Sequence, residues 1–148
     1  FESAAVEESR EVNMQNGNRE VAYALLRATL GLVFLFYGLG KLHYGLDAFV
    51  LGLTTRFTNT LLPTVLVVPF GYILPFAELV TGILLILGAF NRLALLSAGL
   101  LLAALTTGAV IEPSPGTVAD NIGFALVVFL LLWTAERNHY SLDHLIKR

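Results

Sequence analysis

Four apolar runs, at residues 21–42, 65–87, 93–110 and 122–135, are each bounded by charges, prolines or glycines. A helix needs roughly 20 apolar residues to cross the hydrocarbon of a bilayer. The first two runs reach that length outright, and the last two, at about 18 and 14 residues, draw on flanking residues to reach the interfaces. The expected fold is therefore all-α: a polytopic membrane protein, built as a bundle of four transmembrane helices. Composition agrees, since 56% of the 148 residues are hydrophobic and only 14% charged, against about 25% charge in soluble domains. The third run has Asn91, Arg92, Ser97, Thr106 and Thr107 in or beside it and no charged face, which a soluble bundle helix would keep. No stretch alternates in the way a transmembrane barrel strand requires.

Four spans put the N-terminus, the Asn91-Arg92 turn and the C-terminus on one side. These segments hold Arg10, Arg19, Arg27, Arg92, Arg137, Lys147 and Arg148, whereas the opposite side holds Lys41 and Arg56. Seven positive charges against two place both termini in the cytoplasm, and the expected setting is a prokaryotic-type inner (cytoplasmic) membrane. Three parts follow: a polar, acidic tail at 1–20, the transmembrane domain at 21–136, and a basic amphipathic tail at 137–148. The first tail, with Glu2, Glu7, Glu8, Glu11 and Glu20, has too little apolar surface to fold alone and no apolar core suited to a signal peptide, so the first span is expected to serve as the insertion signal. The last, with Tyr140, Leu142, Leu145 and Ile146 among His139, His144, Lys147 and Arg148, is expected to rest on the anionic leaflet. Between the first two spans, Phe49, Leu53, Phe57 and Leu61 recur every four residues. That spacing predicts a short interfacial helix or lid over the outer end.

The most informative single residue is Glu78, a carboxylate near the middle of the second span. Such a group costs roughly 2.5 kcal/mol or more on insertion scales, so it should face a partner or a wet cavity. On the first span Arg27, Gly31, Phe34, Gly38 and Lys41 share one face, and on the second Gly71, Glu78, Gly82, Leu85 and Ala89 share another. Small and polar residues on the same face point inward, so these two faces are expected to meet. Counted at 1.5 Å per residue, Arg27 lies about 9 Å from the start of its span and Glu78 about 13 Å from the end of its own, which makes an Arg27–Glu78 ion pair the expected contact. Lys41, at the outer end, could snorkel to the interface. Pro69 and Pro75 remove two backbone donors from the second span, and helices interrupted in this way often line cavities. Arg27, Lys41, Tyr72, Glu78 and Arg92 are the candidate ligand-binding residues, and Glu78 is the candidate for chemistry.

Other chemistries fall away. The chain has no cysteine, which excludes thiol, disulfide and thiolate-metal chemistry within it. His43, His139 and His144 avoid the span centres, so no metal or haem site is expected. With a net charge of −2, nucleic acid is not an expected partner.

The segments Leu26-Arg27-Ala28-Thr29-Leu30-Gly31, Gly38-Leu39-Gly40-Lys41, Pro75-Phe76-Ala77-Glu78-Leu79-Val80-Thr81-Gly82 and Gly88-Ala89-Phe90-Asn91-Arg92 resemble the DoxX family of small four-helix membrane proteins, over roughly residues 22–135. That resemblance implies a redox-linked subunit of the kind found in thiosulfate:quinone oxidoreductase, with Arg27, Lys41, Glu78 and Arg92 as motif positions. On this reading no cofactor is intrinsic to the chain, a quinone binds near Glu78, and electrons come from partner proteins in or on the membrane. The alternative is a non-catalytic integral subunit that anchors a larger membrane complex, with the lipid bilayer and neighbouring subunits as its partners.

Overall fold

The computed structural model describes residues 2–146. It is helical throughout: α1 (Glu2–His43), α2 (Leu46–Phe57), α3 (Thr64–Leu87), α4 (Asn91–Ile111), α5 (Pro115–Trp133), a short 3₁₀ turn (Ala135–Arg137) and α6 (Leu142–Ile146). Among the described residues four helices, α1, α3, α4 and α5, are long and apolar enough to cross a membrane, so the expected all-α four-span bundle is found. Residues 2–20 differ from a loose tail, because they continue α1 without a break. Extending a helix that is already nucleated costs little per residue, and this segment is rich in good helix formers.

The antiparallel pair α1 and α3 is held by close backbone approach. A Cβ added at Gly82 would lie 2.6 Å from the backbone N of Leu35 and 2.7 Å from the carbonyl O of Gly31. One at Gly38 would lie 2.7 Å from the carbonyl O of Pro75. No side chain fits there, and dispersion between the backbones themselves replaces side-chain packing. The second layer is α4 against α5, where Ala94, Leu95, Ala98 and Leu102 are buried in one cluster with Val128 and Leu131. Helix α5 begins at Pro115, ahead of the apolar run, because proline suits the first helical turn, where its missing N–H has no intrahelical partner anyway. Asp120 and Asn121 therefore belong to the span, and Asn121 is buried.

At the end of the bundle where α1 enters and α5 leaves, the C-terminal segment folds back as a clasp. The Asp143 carboxylate accepts the backbone N–H groups of Phe90 (2.8 Å) and Asn91 (2.9 Å), satisfying the start of α4 from outside the helix. Gly88 takes a left-handed conformation (φ 66) that closes α3, and any side chain there would strike the guanidinium of Arg27. His139 meets Glu20 at 2.5 Å. Lys147 and Arg148, counted in the charge asymmetry, lie outside the described residues.

At the opposite end, α2 lies over the first half of α3. The Val50 and Leu53 side chains stand where a Cβ at Gly71 would meet them at 3.1 and 3.2 Å. The predicted stripe is thus helical through Phe57, whereas Leu61 falls beyond the helix and is 93% exposed.

Candidate functional site

Glu78 is 1% exposed, and its partner is Lys41. The Lys41 ammonium donates to both carboxylate oxygens, at 2.8 and 2.7 Å. The expected Arg27–Glu78 pair is not formed, and two features of the backbone explain why. Gly31 packs beside Gly82 and Ile86, so Arg27 lies level with the end of α3 at Gly88, ten residues or about 15 Å of helix from Glu78. Counting depth from the ends of the apolar runs assumed that those ends were level, and they are not. In addition, side chains lean toward the N-terminus of their own helix. This tilt carries Arg27 toward the clasp and Lys41 inward, while Glu78, on the antiparallel helix, leans toward Lys41.

Arg27 is 3% exposed and serves the clasp instead, donating to the side chain of Asn138 and to the carbonyl of Tyr140 (2.9 Å). Tyr72 donates to Asp47 at 2.7 Å, tying α3 to α2. Arg92 is exposed at the start of α4. Of the five candidates, the structure brings together Lys41 and Glu78; Arg27 and Arg92 lie at the other end of the bundle, and Tyr72 faces α2 away from the pair.

Around Lys41 the chain forms two clefts. The inner one, of about 450 Å³, lies between α2, α3 and α4 and is lined by Lys41, Phe49, Leu53, Phe57, Leu66, Phe70, Leu105 and Gly108, with Arg56, Glu112 and Thr107 among its polar groups. The outer one, of about 520 Å³, lies between α1 and α2 and includes Phe36, Tyr37, Gly40, Tyr44 and Gly52. Lys41, Phe49, Leu53 and Arg56 line both. The Lys41 nitrogen also sits 5.6 Å from the ring centre of Tyr37 and 5.7 Å from that of Phe49, positions in which ring quadrupoles attract a cation. Arg56 is paired in turn with Glu112 at 2.7 Å, which joins the end of α2 to the end of α4.

Sequence reasoning missed the Arg56–Glu112 pair and the α4 wall. The signal for the pair was present, because Arg56 and Glu112 are opposite charges in segments assigned to the same side of the membrane. The α4 wall, from Ala104 to Ala109, holds Thr106 and Thr107, but their hydroxyls donate to the carbonyls of Leu102 and Ala103 in the same helix, a pattern that lipid-facing helices share. Among the described residues no cluster of three metal-ligating side chains occurs.

Comparison with known proteins corrects the family resemblance. The family model for the methylamine utilisation protein MauE matches residues 19–113, and the DoxX family gives no match. Part of the motif that suggested DoxX corresponds to contacts between α1 and α3: Gly38 lies against Pro75, Gly82 against Leu35, and Lys41 bonds Glu78, whereas Arg27 serves the clasp and Arg92 is exposed. Searches of the curated proteins and of the solved structures found no match to the chain. The matched region takes in more than half of the chain, including α2, α3, α4 and the Lys41–Glu78 pair, and the chain therefore belongs to the MauE family.

Proposed function

We propose that this chain is an integral-membrane component of methylamine utilisation that binds a neutral, lipophilic ligand of the quinone type in the inner cleft, with Lys41 donating to a ring carbonyl through the one proton it does not give to Glu78, which without ligand is directed at the Tyr37 carbonyl at 3.4 Å. The observation that carries this reading is the lining of the cleft: apolar and aromatic walls broken by an ammonium whose charge is already matched by Glu78. A site with its cation neutralised offers a hydrogen-bond donor without net charge, which suits a carbonyl oxygen better than an anion. A volume of about 450 Å³ falls within the range of about 300–1,000 Å³ typical of ligand sites. Glu78, sealed and committed through both oxygens, holds Lys41 in place. The chain supplies the binding groups, and electrons would come from partner proteins.

The test is calorimetric titration of the protein in lipid nanodiscs with a benzoquinone lacking a side chain, against empty discs as control. Lys41→Met combined with Glu78→Leu replaces the pair by apolar groups of similar size, an exchange that buried ion pairs often tolerate. Losing a charged donor should weaken binding by about tenfold or more. No binding to the wild-type protein would favour the second reading, a non-catalytic anchoring subunit, for which the sealing of Glu78 at 1% exposure is the supporting observation.

We also propose that the clasp end faces the cytoplasm of a prokaryotic-type inner membrane, on the strength of the charge asymmetry. Since the chain has no cysteine, single cysteines at Gly116 and Glu136 report cleanly. A membrane-impermeant thiol reagent added to intact cells should label Gly116→Cys only; labelling of Glu136→Cys instead would reverse the orientation.

A further inference from the structure

The two clefts share a wall. Phe49, Leu53 and Arg56 form one stripe of α2, and this stripe, together with Lys41, borders both the inner and the outer cleft. We propose that the clefts form one passage beneath α2, and that the ligand is a quinone carrying a long apolar chain, its ring in the inner cleft and its chain lying in the outer cleft on the way to the bilayer. This inference rests on the quinone reading of the inner cleft and adds the chain and its path.

Three observations support the assignment. First, the outer cleft is floored by Gly40 of α1 and Gly52 of α2, and a Cβ added at either would meet nothing within 4 Å. Bare backbone at both positions leaves open room along the groove, in contrast with Gly31, Gly38 and Gly82, where backbone fills the same space. Second, the walls carry Phe36 and Tyr37, which are 64% and 56% exposed on a membrane-crossing helix, so the groove is continuous with a surface that meets hydrocarbon. Third, the cations at the junction are matched: Lys41 by Glu78 and Arg56 by Glu112, each at 2.7 Å. A phospholipid would bring a charged headgroup to a place without net charge to receive it, whereas a neutral ring with an apolar chain requires none.

The experiment compares two ligands, a chainless benzoquinone and its decyl-substituted analogue, each titrated into wild-type, Gly52→Leu and Gly40→Leu proteins in nanodiscs, with partition into empty discs subtracted. Both substitutions replace glycine by a stronger helix former at positions free of neighbours, so folding is preserved and circular dichroism confirms it. The wild-type protein should prefer the decyl analogue at least tenfold. Leucine at either position should remove most of that preference while leaving the affinity for the chainless ring within about twofold. If both variants retain the preference, the chain does not lie in the outer cleft, and the passage is overturned while the ring site stands. If leucine weakens both ligands equally, the outer cleft holds the ring, and the assignment is likewise overturned. Absence of binding of either ligand to the wild-type protein overturns both the passage and the quinone reading.

Discussion

Replacing Gly82 by valine should prevent α1 and α3 from docking. The new Cβ would stand 2.6 Å from one backbone atom and 2.7 Å from another, and neither can swing aside as a side-chain tip would. Overpacking of a close-packed site costs typically 1–3 kcal/mol; with backbone on the far side, a loss of about 3 kcal/mol or more is expected. Gly123→Val is the control, since a Cβ there meets nothing within 4 Å, and a surface change of that kind should stay within about 1 kcal/mol, the helix propensity difference included. Unfolding titrations of the purified proteins measure both. Equal stability of the two variants would show that α1 and α3 are not in backbone contact at Gly82.

The second large effect concerns the ion pair and is asymmetric. Lys41→Ala leaves the Glu78 carboxylate, 1% exposed, without its partner, and an uncompensated buried charge costs about 3–5 kcal/mol. Glu78→Ala leaves the lysine instead. That side chain is 20% exposed and sits in the last turn of α1, where it can turn outward to the interface, so a smaller loss of about 2 kcal/mol is expected. The same unfolding assay ranks the two. A larger loss for Glu78→Ala would mean that the lysine is the more deeply held partner.

The fold was legible because hydropathy and length decide it: apolar runs near 20 residues admit few alternatives to membrane helices. The inward faces were legible too: Arg27, Gly31, Phe34 and Gly38 on α1, and Gly71, Glu78, Gly82 and Leu85 on α3, are buried as the helical wheel predicts, while Lys41 and Ala89, the last residue of each stripe, are half-buried. The partner of Glu78 was not. Sequence gives the angle around a helix but not the axial register between two helices, and here the register is fixed by where glycine permits backbone contact, Gly31 beside Gly82 and Gly38 beside Pro75. Side-chain lean then sends Arg27 and Glu78 apart. The clasp was hidden for a related reason, because Asn138 and Asp143 act on residues 111 and about 50 positions away through contacts that no local pattern encodes. The resemblance to DoxX rested on four short segments, and the family model that matches residues 19–113 is MauE.

The central claim, that the polar site belongs to Lys41 and Glu78 and not to Arg27, is tested most directly by two double-mutant cycles on Glu78. The Lys41→Ala and Glu78→Ala pair should show a coupling energy of more than about 1 kcal/mol, as contacting charges do, whereas Arg27→Ala and Glu78→Ala should add to within about 0.5 kcal/mol, as sites beyond 7–10 Å do. Additive losses at Lys41 together with coupling at Arg27 would contradict the account.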